Sequence, residues 1–162
     1  MAERKGRAVR RRPNGHAGAE LDFGPLAGWI GFNLRLAQET AFQAFSRRSH
    51  EIGEHPGRFA TLMLIHRNPG ISQTELSQAS GRDKSSITPV VEDLVRRGLV
   101  ERQRTEQERR VYRLTLTGQG KKVLASLVRC ALRHERVLDT IVGVRDRRRF
   151  LELCKRIAAQ VE

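Results

Sequence analysis

Apolar residues recur along the chain with two different periods. From residue 25 to about residue 48, Leu26, Ile30, Leu34, Ala37, Ala41 and Phe45 form one stripe at helical spacing, and Trp29, Phe32, Leu36 and Phe42 widen it. The pattern predicts a long helix, with Pro25 in the first turn, where a missing N–H is harmless. A helix apolar on more than one side needs more than one neighbour, here its own domain and a second subunit. Phe59, Leu62, Met63 and Ile65 predict a short helix stopped by Asn68, Pro69 and Gly70. Ser72 with Glu75 three residues on is a capping box opening the next helix, which Gly81 ends. Val90, Val91, Leu94, Val95 and Leu99 predict a helix from about Lys84 to Arg97, with Asp83 as N-cap and Gly98 as stop. After Gly98 the period falls to 2. "LVERQR" and "RVYRLTL" read as strands, joined by the polar turn "TEQER". Thr117 caps another long helix, "GQGKKVLASLVRCALRHERVLDTIV", and "RDRRRFLELCKRIAAQVE" is a closing helix.

Short helices, a β-hairpin and flanking long helices make up the plan of a winged helix-turn-helix. The expected fold is mainly α with a small β-hairpin, and long N- and C-terminal helices that dimerise. Four segments follow: a disordered basic arm over 1–20, an N-terminal dimerisation helix and linker over 21–57, a DNA-binding domain over 58–116, and C-terminal dimerisation helices over 117–162. A recognition helix enters the major groove with its first residues towards the base edges. Lys84, Ser85, Ser86 and Thr88 offer suitable donors and acceptors there. Arg109 and Arg110 at the hairpin tip suit the narrower minor groove. Pro89 lies inside this helix and deprives the Ser85 carbonyl of its usual donor. Two readings stay open: a slight bend or a hydrated carbonyl at a DNA-reading helix, or simple stiffening of the helix start.

Charge strengthens the nucleic-acid reading. The chain has 162 residues and a net charge of +13, an excess that favours a polyanionic partner. No run of apolar residues is long enough to span a membrane, and the N-terminus is basic rather than signal-like, so a cytoplasmic protein is expected. No Ser-His-Asp, paired-carboxylate or phosphate-loop arrangement has a convincing context, so no enzyme is expected. His50, His55, His66 and His134 lack a ligand pattern, and neither metal nor cofactor is expected. His66 reads as a pocket or buried hydrogen-bonding group. Cys130 and Cys154 read as structural thiols.

The stretches "TELSQASGRDKSSITPVVEDLVRRGLVERQR" and "ERRVYRLTLTGQG" resemble the MarR family of bacterial transcription regulators. The ordered set D-K-S-S, L-x-x-R-G-L-V-x-R, x-R-R and L-T-x-x-G carries the likeness. It implies that Lys84, Ser85, Ser86 and Thr88 face the major groove and that Arg110 is the wing-tip arginine. The family's aspartate two residues before that arginine is Glu108 here, and Pro89 stands where many members have arginine or another polar residue. The family also implies a homodimer on a pseudo-palindromic double-stranded DNA operator, released by a small effector. Leu26, Ile30, Leu151 and Ile157 are candidates for the dimer interface. "GWIGFNLRLAQETAFQAF" is similar to the group that responds to aromatic acyl-CoA thioesters, such as hydroxycinnamoyl-CoA. Trp29 and Phe32 would then face an aromatic acyl group, Met63 and His66 complete the wall, and Arg35 and Arg48 meet phosphates. A ligand-independent architectural DNA-binding protein and a metal- or redox-sensing regulator are the alternatives.

Overall fold

The computed structural model of the chain describes residues 21–51, 54–105 and 108–160. The basic arm read over 1–20 lies outside the described residues, and so do the side chains of 104–111. The boundary between the chain's two compact units falls inside the first helix, after Leu36.

That helix, α1, spans Ile30–His50. The expectation that it begins at Pro25 is corrected. Pro25 belongs to a separate 3-10 turn, Gly24–Gly28, and Trp29 is extended at φ −85°, ψ 128°. The Asn33 side-chain amide donates to the carbonyls of Ala27 and Trp29, at 3.0 and 2.8 Å, and holds the break locally.

In the second unit, α2 spans Gly57–Arg67. It stops where the Asn68 amide donates to the Leu64 carbonyl, at 2.9 Å, and Gly70 takes φ +85°. A two-residue strand follows, β1, Ile71–Ser72. Sequence periodicity gave no sign of it, because two residues cannot display an alternation and Ser72 doubles as the N-cap of α3, Gln73–Ser80. The capping box is present: Ser72 Oγ accepts from the Glu75 N–H, and the Glu75 carboxylate accepts from the Ser72 N–H. Gly81 ends α3 in the left-handed region, at φ +63°. The helix α4 spans Lys84–Arg96 and is followed by β2, Val100–Thr105, and β3, Glu108–Leu116. The sheet is antiparallel in the order β1-β3-β2, with Ile71 opposite Leu114 and Val100 opposite Leu116. The expected turn "TEQER" is tighter than its polarity suggested, since Thr105 and Glu108 pair with each other on the two strands.

The apolar positions meet in one core. Leu62 and Ile65 from α2, Leu76 from α3, Ile87, Val91 and Leu94 from α4, and Leu114 from β3 are fully buried. The core continues into α5, Gly118–Val142, through Leu124 and Leu127. Thr117 caps α5 by accepting from the Gly120 N–H at 2.9 Å and donates its hydroxyl to the Gly98 carbonyl at 2.7 Å. Gly120 lies so close to the Leu99 carbonyl that a Cβ would sit 2.0 Å from its oxygen. The last helix, α6, Val144–Gln160, buries none of its residues and exposes Phe150, Leu151 and Leu153.

Candidate DNA interface and effector pocket

The surface of α4 follows from its buried stripe. Ile87, Val91 and Leu94 turn inward, so Ser85, Pro89, Glu92 and Arg96 form the outward strip one helical turn apart. Lys84, Ser85 and Ser86 are exposed at its first turn. Asp83 organises that turn. Its carboxylate accepts the Ser86 N–H at 2.8 Å, the Ser85 hydroxyl at 2.5 Å and the Ser86 hydroxyl at 2.7 Å. These bonds, that of the Ser85 hydroxyl foremost, hold its carboxyl well below the usual carboxylate range. The serine oxygens keep their lone pairs for outside donors, while their protons are committed to Asp83.

Thr88 is half-buried and its hydroxyl is occupied. It donates to the Lys84 carbonyl at 2.7 Å and accepts from the Gln73 amide at 2.6 Å. Gln73, not singled out from the sequence, thereby joins the start of α3 to the first turns of α4. Its signal was present: it follows the Ser72 cap, where a first-turn side chain is free to lean towards α4. Glu92 is the other residue of the outward strip that sequence reading passed over, because an acidic residue in a basic protein reads as solvated. Pro89 is exposed within an α4 that continues to Arg96.

The far end of α4 is anchored by charge. Glu54 is buried and takes a two-pronged contact from Arg97, at 2.8 and 3.1 Å. Arg58 of α2 lies 3.5 Å from Glu54 and 2.7 Å from Asp93, which also holds Arg96 at 2.7 Å. The bond to Glu54 raises the affinity of Arg97 for its proton, against the effect of burial. Burial pushes the Asp93 carboxyl up, but the hydrogen bonds from Arg96 and Arg58 outweigh it and leave it lowered.

Arg109 and Arg110 lie on β3 beside the turn at 106–107, which is outside the described residues. The register slips between Arg104, opposite Tyr112, and Thr105, opposite Glu108. Arg109 and Arg110 therefore fall in the irregular part of the ladder, and such irregularities twist a hairpin and re-aim its tip. Nearer the core, Arg102 stacks over the Tyr112 ring at 5.8 Å.

The six residues read as effector contacts do not come together as one described site. In the first unit Trp29 is exposed, and the Arg35 guanidinium lies over the Phe32 ring at 5.9 Å. In the second unit Arg48 donates to the Ala44 carbonyl at 3.2 Å and faces His134 Nδ1 at 3.4 Å. His134 is buried and stacks on Phe45 at 5.6 Å, so the buried histidine is this one and His66 is exposed. Burial, and secondarily the Arg48 charge, lower the pKa of His134 against a smaller opposing effect of Glu135. Met63 and His66 do share a pocket of ≈ 370 Å³ between α2 and α5, with Arg67, Lys121, Leu124, Ala125 and Val128. Among the described residues no group of three or more His, Cys, Asp or Glu side chains is placed to hold a metal ion. Cys130 is a buried free thiol and Cys154 a half-buried one. No helix among the described residues is long and apolar enough to cross a membrane.

A helix-turn-helix of α3 and α4, backed by a three-stranded wing sheet and flanked by long helices, defines a winged helix-turn-helix protein. Comparison with known proteins narrows this. The MarR family model matches residues 55–112. A candidate transcriptional regulatory protein for the hcr operon of Thauera aromatica is 35% identical over 155 residues, covering 95% of this chain and 93% of the relative. The transcriptional repressor CouR bound to a 23-mer DNA duplex superimposes with a TM-score of 0.79 at 32% identity, over 86% of this chain and 99% of that one. CouR bound to p-coumaroyl-CoA does so with a TM-score of 0.78 at 30% identity, over 87% and 99%. The chain belongs to the MarR family and is a transcriptional regulator, not an enzyme.

Proposed function

We propose that the protein is a cytoplasmic, homodimeric repressor that binds a pseudo-palindromic operator and leaves it when an aromatic acyl-CoA thioester binds. The observation that carries the DNA half is the first turn of α4. Lys84, Ser85 and Ser86 stand exposed on a helix whose opposite face is locked into the core. In the proposed complex these residues, with Thr88 held by Gln73, face the major groove, and Arg109 and Arg110 reach the minor groove. Residues 58–116 carry the DNA contacts, and the helices before and after them carry the dimer. The effector half rests on the likeness to CouR, which has been captured with p-coumaroyl-CoA.

Fluorescence anisotropy with a labelled operator tests both halves. Arg110→Ala is expected to weaken binding on every operator variant and to reduce the slope of log K against log salt by about 1, as loss of one phosphate-neutralising cation does. Ser86→Ala is expected to change sequence preference instead. An Arg110→Ala protein that binds as tightly as the parent at physiological salt refutes the wing role. Operator release by p-coumaroyl-CoA at lower concentration than by p-coumarate supports the thioester, and equal potency discards it.

A further inference from the structure

Pro89 has no part in the DNA contacts assigned above, although it stands exposed on the outward strip of α4. Its side chain is carbon only, and it has no N–H. Its neighbour Thr88 is half-buried, and most of its hydrogen-bonding capacity is spent inside the fold. A threonine hydroxyl carries one proton and two lone pairs. The proton goes to the Lys84 carbonyl at 2.7 Å, and one lone pair takes the Gln73 amide at 2.6 Å. The bond to a carbonyl four residues back also fixes the side-chain rotamer, so the methyl group has one position. Ser85 and Ser86 differ: their hydroxyl groups are fully exposed and can exchange Asp83 for an outside partner. The Thr88 hydroxyl, held from both α3 and α4, is the least able to do so.

These constraints decide what the second turn of α4 can recognise. A hydroxyl whose proton is already bound cannot donate to guanine O6 or N7, adenine N7 or thymine O4. What Thr88 and Pro89 still offer is chiefly carbon, the threonine methyl and the pyrrolidine ring. The one major-groove feature that carbon recognises is the C5-methyl group of thymine. We propose that Thr88, its hydroxyl locked by Lys84 and Gln73, and the adjoining Pro89 form an apolar seat for a thymine methyl group and so select a thymine in the operator. The inference rests on the DNA-facing placement of α4 proposed above and names the base that its second turn selects. It also gives Pro89 a task. An arginine at this position would donate to guanine or to phosphate, so the proline changes which base is favoured and not only how tightly DNA is held.

Selection by the full chain from a library of random DNA duplexes supplies the probe. In the selected duplex each thymine is then replaced, one at a time, by uracil, which pairs identically and lacks only the methyl group. Binding is measured by fluorescence anisotropy, and the thymine-to-uracil ratio is taken within each protein, so that a general change in affinity or stability cancels. At one thymine position the parent should bind the uracil duplex about fourfold more weakly, the effect of one methyl group removed from water. Two conservative exchanges then separate carbon from hydroxyl. Thr88→Val keeps the methyl and loses the hydroxyl, and should retain the uracil penalty at that position. Thr88→Ser keeps the hydroxyl and loses the methyl, and should reduce the penalty below about twofold. The opposite pattern, a penalty kept by serine and lost by valine, overturns the proposal. A selected duplex in which no thymine carries a uracil penalty also overturns it, while the DNA-binding reading stands. If the parent enriches no sequence from the library, both fall.

Discussion

Gly120 is small because the Leu99 carbonyl occupies the space of its side chain. An added Cβ would lie 2.0 Å from that backbone oxygen, and neither partner is a flexible side chain that can swing aside. Gly120→Ala is therefore expected to cost about 1–3 kcal/mol, seen as a drop of several degrees in melting temperature. A melting temperature within a degree of the parent would show that the α5 start can retreat from the turn freely. His134 makes a different kind of prediction. Burial and Arg48 favour its neutral ring, so its pKa in the folded chain lies below that in the unfolded chain. As pH falls through about 6.5 the unfolded chain takes up the proton first, and stability falls; it levels off once the pH is below the folded value. Thermal melts of the parent and His134→Gln between pH 7.5 and 5.5 check this. The parent should lose more stability than the variant across that window, and parallel curves would refute the assignment.

Among the elements, α4 is held differently at its two ends. Its N-terminal turn is organised by Asp83 and two serines in open solvent, where the hydroxyl groups can exchange protein partners for DNA or water. Its C-terminal turn is bound by the Glu54, Arg58, Asp93 and Arg97 cluster, which is mostly removed from water. Glu54→Gln strips the charge that two arginines share. The expected cost is about 2 kcal/mol, below the ~3–5 kcal/mol of a fully buried pair because Arg97 remains about a third exposed. Urea unfolding should show the midpoint falling at constant slope. Because the loss loosens one end of the reading helix, operator affinity should fall as well. An unchanged midpoint would mean that water replaces the ion pairs without penalty.

For the whole molecule, the exposed apolar residues of α6 and the surplus of positive charge need an account together. Phe150, Leu151 and Leu153 are each at least 40% exposed on a helix that buries nothing. In the proposed dimer a second copy covers this row, and the net charge of +13 favours a polyanionic partner such as the proposed operator. Deleting residues 146–162 is expected to yield monomeric or insoluble protein with lost operator binding, measured by sedimentation and anisotropy. A soluble truncation that binds operator as a monomer would overturn the dimer.

The local chemistry of the winged domain was legible because its signals are short-range. The Ser72 capping box, the Asp83 and Thr117 caps and the glycines after α3 and α4 act within a few residues, and the change of period after Gly98 marks the hairpin. Ordered family motifs added the DNA-facing roles proposed for α4 and the wing. The start of α1, the two-residue β1 and the tightness of the hairpin turn were not legible, since the Asn33 side-chain bonds, a strand partner 43 residues away and the pairing of Thr105 with Glu108 settle them. The same holds for the sites. That Lys84, Ser85 and Ser86 are exposed in the first turn of α4 follows from helix phase. That Thr88 is already bonded by Gln73, that His134 rather than His66 is buried, and that Arg67 and Lys121 flank one pocket follow from contacts between helices far apart in the chain. Helix phase says which residues share a face, and only packing says which faces meet.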